Sequence, residues 1–146
     1  MRLVVSVTVV SMMLLACNPS NSSPECQPSP VGSSASSSDG QTLHLWVSNQ
    51  SFDIDPVLIE IYIDDRRVVC QVFYVEGQHN WILFDLVLEP GNHTLRAIAN
   101  SEDAELTETF DHTIEQWAVV DFWFYAEHGE PQHLTFSIQD EPIGFA

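Results

Sequence analysis

The sequence predicts an all-β fold, an antiparallel β-sandwich of about seven to eight short strands. Runs rich in Val, Ile, Phe, Trp and Tyr recur about every ten residues from residue 41 onward, with turn-forming residues between them. No stretch in this part keeps the apolar period of a helix. The chain of 146 residues is 45% hydrophobic, which suffices for the core of one domain. We therefore divide it into a leader at residues 1–16, a tether at 17–40 and a folded domain at 41–146.

The leader consists of Met1, Arg2 and a mostly apolar run of 14 residues at 3–16. This run is too short to cross a bilayer comfortably and has the length of a signal-peptide core. It is therefore excluded from the folded domain. One interpretation is an ordinary signal peptide, after which Cys17 stays free or joins a disulfide.

The end of this run, Leu14-Leu15-Ala16-Cys17, resembles the lipobox of bacterial lipoproteins. The resemblance implies that Cys17 is acylated and becomes the first residue of the mature chain. In that family, Asn18 at the next position favours the outer membrane over the inner membrane. Two or three acyl chains on one residue give lasting attachment, because each buried methylene contributes about 0.8 kcal/mol. The resemblance thus implies an envelope protein that contacts the membrane through an N-terminal lipid anchor.

Residues 18–40 have the composition of a flexible, disordered tether. Nine of these 23 residues are Ser, four are Pro and two are Gly, and the apolar residues have no regular spacing. Such a sequence cannot bury enough apolar surface to fold by itself. As a flexible coil it would span on the order of 27 Å, enough to hold a domain beyond the lipid headgroups.

Two further cysteines, Cys26 in the tether and Cys70 in the domain, leave two interpretations open. Export to an oxidising compartment permits a disulfide between them, and closing that loop would stabilise the fold by about 4 kcal/mol. Alternatively, Cys70 is a small buried hydrophobe, because it alternates with Val68, Val72 and Tyr74 on an expected inward face. The two cysteines have no spacing typical of a metal-thiolate site.

The strands of the domain are assigned from apolar runs bounded by turn residues. They are expected near residues 42–48, 57–64, 66–75, 81–88, 93–100, 105–112, 117–125 and 132–139. Between the second and third strands, Asp64-Asp65 fits a tight hairpin turn. Between the fourth and fifth strands, Pro90-Gly91 marks another turn.

The segment "IEIYIDDRRVV" followed by "LEPGNHTLRAIA" resembles the bacterial Ig-like and PEGA-like surface domains. Those domains commonly have an aspartate-turned hairpin and then a Pro-Gly turn before a strand of the form His-x-Leu-x-Ala. The likeness covers about residues 57–112, half of the domain. It implies an Ig-like sandwich with an accessory role at the cell surface, and it carries over no catalytic residue.

The chain is strongly acidic, with a formal net charge of −17 at pH 7. It has no lysine, and its 21 acidic residues face only four arginines, which are Arg2, Arg66, Arg67 and Arg96. Removal of the leader takes Arg2 away and leaves three arginines against 21 acidic residues, a balance of −18. This charge argues against nucleic-acid binding, which depends on Lys and Arg. A well-solvated surface that keeps an exported protein soluble is the simplest interpretation.

Two sets of side chains have the chemistry of metal ligands. His128, Glu130 and His133 could bind zinc or copper, but they also fit a polar turn in the last hairpin. Asp53 and Asp55 offer oxygen ligands for calcium, which takes six to eight of them. An Asx-type turn before the next strand explains the two aspartates more simply, so no metal is predicted.

Catalytic chemistry has little support in the sequence. No G-x-S-x-G elbow, H-E-x-x-H helix or Gly-rich phosphate loop occurs. Asp85 and Asp121 have the chemistry of a glycosidase carboxylate pair, but nothing in the sequence brings them together. We therefore predict no catalytic residue, no cofactor and no enzymatic activity.

The stretch at residues 117–125, WAVVDFWFY, carries the most informative pattern. Alternation divides its side chains into one set with Trp117, Val119, Asp121, Trp123 and Tyr125 and another with Ala118, Val120, Phe122 and Phe124. An unpaired aspartate is costly in a core, so the set with Asp121 should point outward. Two Trp and one Tyr on an outer face form a platform that stacks on sugar rings or meets a partner protein.

The strand near residues 81–88 repeats this pattern with Trp81, Leu83, Asp85 and Val87. If this strand and the strand at 117–125 are neighbours, the aromatic patch is a two-strand surface. The alternative is that these aromatics fill a second small core, or that the tether or the C-terminal residues 141–146, EPIGFA, cover them.

These features predict a lipid-anchored envelope protein whose β-sandwich is a non-catalytic protein-interaction or structural module. Carbohydrate binding through the aromatic face of Trp81, Trp117, Asp121, Trp123 and Tyr125 is the alternative. A metal-dependent or enzymatic role is a second, weaker alternative. The expected partners are the membrane and an envelope protein or glycan.

Overall fold

The computed structural model describes Cys26 and residues 40–51, 53–75, 80–100 and 103–145. The strands in these ranges are β1 (Gln41–Asn49), β2 (Val57–Ile63), β3 (Arg66–Phe73), β4 (Ile82–Leu88), β5 (Gly91–Ala99), β6 (Ala104–His112), β7 (Gln116–Trp123) and β8 (His133–Gln139). A single turn of 3-10 helix at Ala126–His128 lies between β7 and β8. The predicted leader, Cys17 and the tether apart from Cys26 and Gly40 lie outside the described residues.

The strands form two four-stranded sheets, which confirms the predicted β-sandwich. Sheet A has the strand order β4-β1-β7-β8, and sheet B has the order β3-β2-β5-β6. Neighbouring strands are antiparallel except for β1 and β7, which run parallel. All eight predicted strands are present, and each predicted end lies within about two residues of the observed one, the usual uncertainty of such boundaries.

The inner faces of the two sheets form one hydrophobic core. Strand β2 shows the alternation most clearly, because Val57, Ile59 and Ile61 are fully buried while Glu60 and Tyr62 face outward. The largest fully buried apolar side chains from the other strands are Leu43, Leu45, Val47, Phe73, Leu95, Val120 and Phe122. Burial of each such side chain stabilises the fold by about 1.5–3 kcal/mol before entropy is counted.

The β2–β3 hairpin closes through the predicted Asp64-Asp65 turn. Both residues have positive φ, 50° and 62°, as a type I′ turn requires. The Asp64 carboxylate ties the turn to β5, because it accepts a hydrogen bond from the Thr94 backbone N–H and contacts His93 Nδ1 at 2.6 Å. The Pro90-Gly91 turn has a different role, since it carries the chain from β4 in sheet A to β5 in sheet B.

The inward face predicted for β3 is wrong. Val69 and Phe73 are buried at 2% and 1% exposure, whereas Val72 and Tyr74 are 41% and 49% exposed and Cys70 is on the outer side. The cause is a β-bulge, since Ile61 pairs with Val69 while Tyr62 pairs with Arg67. The bulge adds one residue to β3 and reverses the alternation downstream of it.

The reversed alternation places Cys70 on the outer face of sheet B, where it forms a disulfide with Cys26. Cys70 pairs across the sheet with Glu60, whose carboxylate also accepts a hydrogen bond of 2.9 Å from Arg67. The disulfide therefore fastens a point of the tether region to the outside of the sandwich rather than to its core.

The part of the chain that the structure describes contains no helix with the length and apolar character needed to span a bilayer.

Candidate functional site

The outer face of sheet A carries most of the residues that the sequence singles out. We call this surface the aromatic face and define it by Trp46, Trp81, Trp117, Asp121, Trp123 and Tyr125. On β7 the predicted inward set is confirmed for Ala118, Val120 and Phe122, which are fully buried in the core. Val119 belongs to the predicted outward set and lies outside the core cluster, but it is buried as well, at 9% exposure. Trp117, Asp121 and Trp123 are half-buried on the opposite side.

The two-strand surface, expected only if the two aromatic strands are neighbours, is not formed. The sheet order places β1 between β4 and β7, so the two aromatic strands are not neighbours. The outward side chains of β1, among them His44, Trp46 and Ser48, therefore lie in the middle of the aromatic face. The face is a surface of three strands, with β8 beyond β7 at its other edge.

Asp121 connects the strands of the aromatic face. Its Oδ1 accepts hydrogen bonds from Ser48 Oγ at 2.6 Å and from Trp81 Nε1 at 2.9 Å. Burial raises the pKa of Asp121, although the bonds from Ser48 and Trp81 oppose this shift. The carboxylate is thus a shared acceptor that fixes the Trp81 ring across β1.

Trp117 lies near the end of the aromatic face where β7 begins. The His44 ring stacks on its indole, with centroids 5.1 Å apart and planes 18° from parallel. His44 is held in turn by two carboxylates, with Nδ1 2.6 Å from Asp85 and Nε2 2.9 Å from Glu115. The bond to Glu115 raises the pKa of His44, burial opposes it, and Asp85 raises it further.

Trp81 is covered by the C-terminal segment, as one of the alternatives for the aromatic residues proposed. The Phe145 ring stacks on Trp81 at 4.2 Å and 21° and meets Trp46 edge-on at 5.2 Å. Residues 140–145 thus lead from β8 across the sheet to the opposite edge, roughly 14 Å away at the usual strand spacing. The Trp46 Nε1 atom is buried and has no hydrogen-bond partner among the described residues.

Trp123 and Tyr125 form a second aromatic group at the other end of β7. Their ring centroids are 6.1 Å apart with planes tilted by 40°, and His128 lies 5.5 Å from the Tyr125 ring. Trp123 Nε1 donates to Thr135 Oγ1 at 3.3 Å, and the Tyr125 hydroxyl donates to the Gln50 carbonyl at 3.2 Å. These bonds fix both rings before any ligand binds.

The residues weighed as metal ligands have other contacts. The Asp53 carboxylate accepts a hydrogen bond from the Ala126 N–H and that of Asp55 from the Val75 N–H, so both pin loop backbone. His133 Nδ1 contacts the Pro131 carbonyl instead of a group shared with His128.

Within the described ranges, the one group of three potential ligand atoms that lie close together belongs to Cys26, Glu60 and Cys70. Two of these residues are joined in the disulfide, so their sulfur atoms are not free thiolates. The metal-ligand sets that the sequence suggests are therefore not assembled among the described side chains.

The two carboxylates considered as a glycosidase pair lie far apart. Asp85 is opposite His44 on β1, and Asp121 is opposite Ser48, so they differ by four residues along the sheet and by two strands across it. This grid separates them by roughly 16 Å at standard strand dimensions. Glycosidase carboxyl groups lie about 5–9.5 Å apart, so these two do not form such a pair.

Sequence reasoning missed His44, Trp46 and Ser48 as members of this surface. The strand β1 does alternate, because Leu43, Leu45 and Val47 are buried while His44 and Trp46 face outward. This alternation was visible in the segment HLWVS, but only the sheet order shows that β1 lies between β4 and β7.

Comparison of the chain with protein-family profiles, with curated proteins and with solved structures found no match.

Proposed function

We propose that the chain is a lipid-anchored envelope protein whose β-sandwich is a non-catalytic interaction module. The observation that carries the proposal is the aromatic face, where Trp117 and Trp123 lie on the same side of β7 as Asp121 and the Trp81 indole donates to the Asp121 carboxylate. Aromatic side chains that project from a sheet and are not part of its core are typical of contact surfaces.

The charge distribution supports a partner of particular chemistry. Among the described residues, the three arginines all lie in sheet B, on β3 and β5. The aromatic face has acidic groups beside its indoles, namely Asp85, Glu115 and Asp121. A neutral or basic protein surface fits this face, whereas an anionic one is repelled.

Site-specific photo-crosslinking in cells tests the interaction role. Leu83 is 40% exposed on the aromatic face and suits a photoreactive amino acid that leaves the core unchanged. Thr107, exposed on β6 at the edge of sheet B, is the matched control. We expect a discrete adduct at Leu83 and none at Thr107. Equal labelling at both positions, or no adduct at Leu83, would contradict the role of this face.

The lipid anchor is a separate part of the proposal and needs its own test. The Leu14-Leu15-Ala16-Cys17 sequence and a disulfide suited to an oxidising compartment support it. We expect Cys17→Ser to release the protein from membranes and to abolish incorporation of labelled fatty acid. If the variant remains membrane-bound and labelled, the anchor is elsewhere.

Carbohydrate binding is the second candidate, and the fixed rings of Trp123 and Tyr125 are the observation that favours it. Both rings are half-buried, and their polar atoms already have hydrogen-bond partners, so stacking on a sugar would cost these side chains little conformational freedom.

Tryptophan fluorescence tests this candidate. Titration with neutral cell-wall glycans should shift the emission of the wild-type protein, and Trp123→Ala should abolish the shift. Trp81→Phe is the matched control, because Trp81 is already stacked against Phe145. A flat response of the wild-type protein across a broad panel of glycans would exclude sugar binding and leave the protein-interaction role untouched.

A further inference from the structure

His44 is placed to control access to Trp117. Its ring lies parallel to the indole at 5.1 Å and so covers one of the two faces of Trp117. The His44 side chain is 21% exposed, so packing encloses it only in part. Two side-chain bonds from other segments hold it there, one from β4 and one from the loop before β7.

The two hydrogen bonds together require a hydrogen on each nitrogen of the His44 imidazole. The partners of Nδ1 and Nε2 are the carboxylates of Asp85 and Glu115, which accept hydrogen bonds but do not donate them when ionised. Each ring nitrogen must therefore carry a hydrogen, so the observed geometry belongs to the positively charged ring. A neutral ring has one N–H and would leave one carboxylate facing a nitrogen lone pair.

We propose that His44 is a protonation-dependent cover over Trp117, closed when the imidazole is charged and released when it is neutral. Asp85 and Glu115 are 60% and 56% exposed, so each can turn to water once its donor is lost. The His44 ring then loses one of its two anchors and can turn away from the indole. Release uncovers an aromatic ring on the outer face of sheet A.

The groups that surround His44 agree with this direction of control. On β4 its charged neighbour is Asp85, and ahead of β7 it is Glu115; on β7 itself the neighbour is the uncharged Trp117. The carboxylate of Asp140, after β8, is directed elsewhere, because it accepts a hydrogen bond from Gln116. The bonds to both carboxylates raise the pKa of His44 above its usual 6.5, with burial opposing them. The cover is therefore closed in mildly acidic solution and opens as the pH rises.

The consequence for binding rests on the proposed function of the aromatic face. If Trp117 contacts a partner, the affinity should be lower in acid and higher above the pKa of His44. The cover itself can be tested without any ligand, so its failure and the failure of the binding role are distinguishable.

The experiment is collisional quenching of tryptophan by neutral acrylamide at about pH 5.5 and about pH 8.5. The quenching of Trp117 is obtained as the difference in tryptophan quenching between each protein and the same protein with Trp117→Phe. We expect the quenching constant of Trp117 to rise about twofold at the higher pH, because the ring face that His44 covers becomes accessible. In a His44→Gln background it should be high at both values. His133→Gln is the matched control and should keep the wild-type pH dependence, since His133 contacts only a loop carbonyl.

Nuclear magnetic resonance supplies a second test that uses only the wild-type protein and so does not depend on whether a variant folds. Cross-relaxation between the His44 and Trp117 rings should be strong at the lower pH and lost at the higher one. Accessibility of Trp117 that is the same at both pH values, or ring contacts that persist above the titration of His44, would overturn the proposal.

Discussion

The indole N–H of Trp81 donates a hydrogen bond of 2.9 Å to Asp121 Oδ1 on β7, although β1 lies between β7 and β4, the strand that Trp81 immediately precedes. The same oxygen accepts a second bond from Ser48 on β1. Three strands of sheet A are thus linked on their outer face by one carboxylate. This link determines the orientation of Trp81 and makes the aromatic face a single surface.

Replacement of Asp121 tests that link. Burial raises the pKa of Asp121 above 3.8, so its contribution to stability is largest below that pH and is lost as the pH rises through the folded-state pKa. At pH 7 we expect Asp121→Asn to leave the free energy of unfolding within about 1 kcal/mol, because the amide oxygen still accepts both bonds. Asp121→Ala should lower it by about 1–3 kcal/mol. Urea unfolding measures both, and equal losses would contradict the acceptor role.

Removal of the disulfide should destabilise the domain. The bond joins residues 44 positions apart, and opening a loop of that length costs about 4 kcal/mol in the chain-entropy model. We expect the Cys26→Ser, Cys70→Ser double variant to lose stability by that order in denaturant unfolding. A reducing agent should destabilise the wild-type protein and leave the double variant unchanged. If the reducing agent destabilised both proteins equally, its effect would not come from this disulfide.

His93 and Asp64 predict a pH dependence of stability. Burial lowers the pKa of His93, but the bonds to Asp64 and to the Glu89 carbonyl outweigh it and raise the pKa above 6.5. The Thr94 N–H and His93 lower the pKa of Asp64 below 3.8. The histidine contribution is complete below about pH 6.5 and is lost as the pH rises through the folded-state pKa. The aspartate contribution is complete above about pH 3.8 and is lost as the pH falls through the lower folded-state value.

The pair should therefore stabilise the fold most between about pH 4 and 6.5. Unfolding free energies measured from pH 4 to 9 should decline at the alkaline end for the wild-type protein. In His93→Gln that decline should be shallower, because among the described histidines only His44 then keeps a raised pKa. His128→Gln, at an exposed position, serves as the control. Identical pH profiles for the wild type and His93→Gln would show that the pair does not govern stability.

The bulge in β3 can be tested with one substitution at two positions. Val69→Ala removes two buried carbon atoms and should cost about 2 kcal/mol. Val72→Ala, three residues further along the same strand but 41% exposed, should change stability by no more than about 0.5 kcal/mol. If Val72→Ala were the costlier of the two, β3 would follow the unbroken alternation that its sequence alone suggests.

Much of the fold could be predicted because strand formation here is a local property. The period of two in β2, the positive-φ turn at Asp64-Asp65 and the spacing of the apolar runs are all visible in short segments. The inward and outward faces of β7 followed from the cost of burying Asp121 alone. The face of β3 could not be predicted, because a bulge depends on how β3 pairs with β2.

The amino-acid sequence by itself determined the all-β class, the positions of the strands and the outward side of residues 117–125, since these depend on alternation between near neighbours. Only the tertiary structure decided which strands lie side by side. It placed β1 between β4 and β7, brought His44 onto Trp117 and Phe145 onto Trp81, and joined Cys26 to Cys70. These three contacts link residues from 44 to 73 positions apart, and their formation depends on sheet order and strand register, which short-range patterns do not encode.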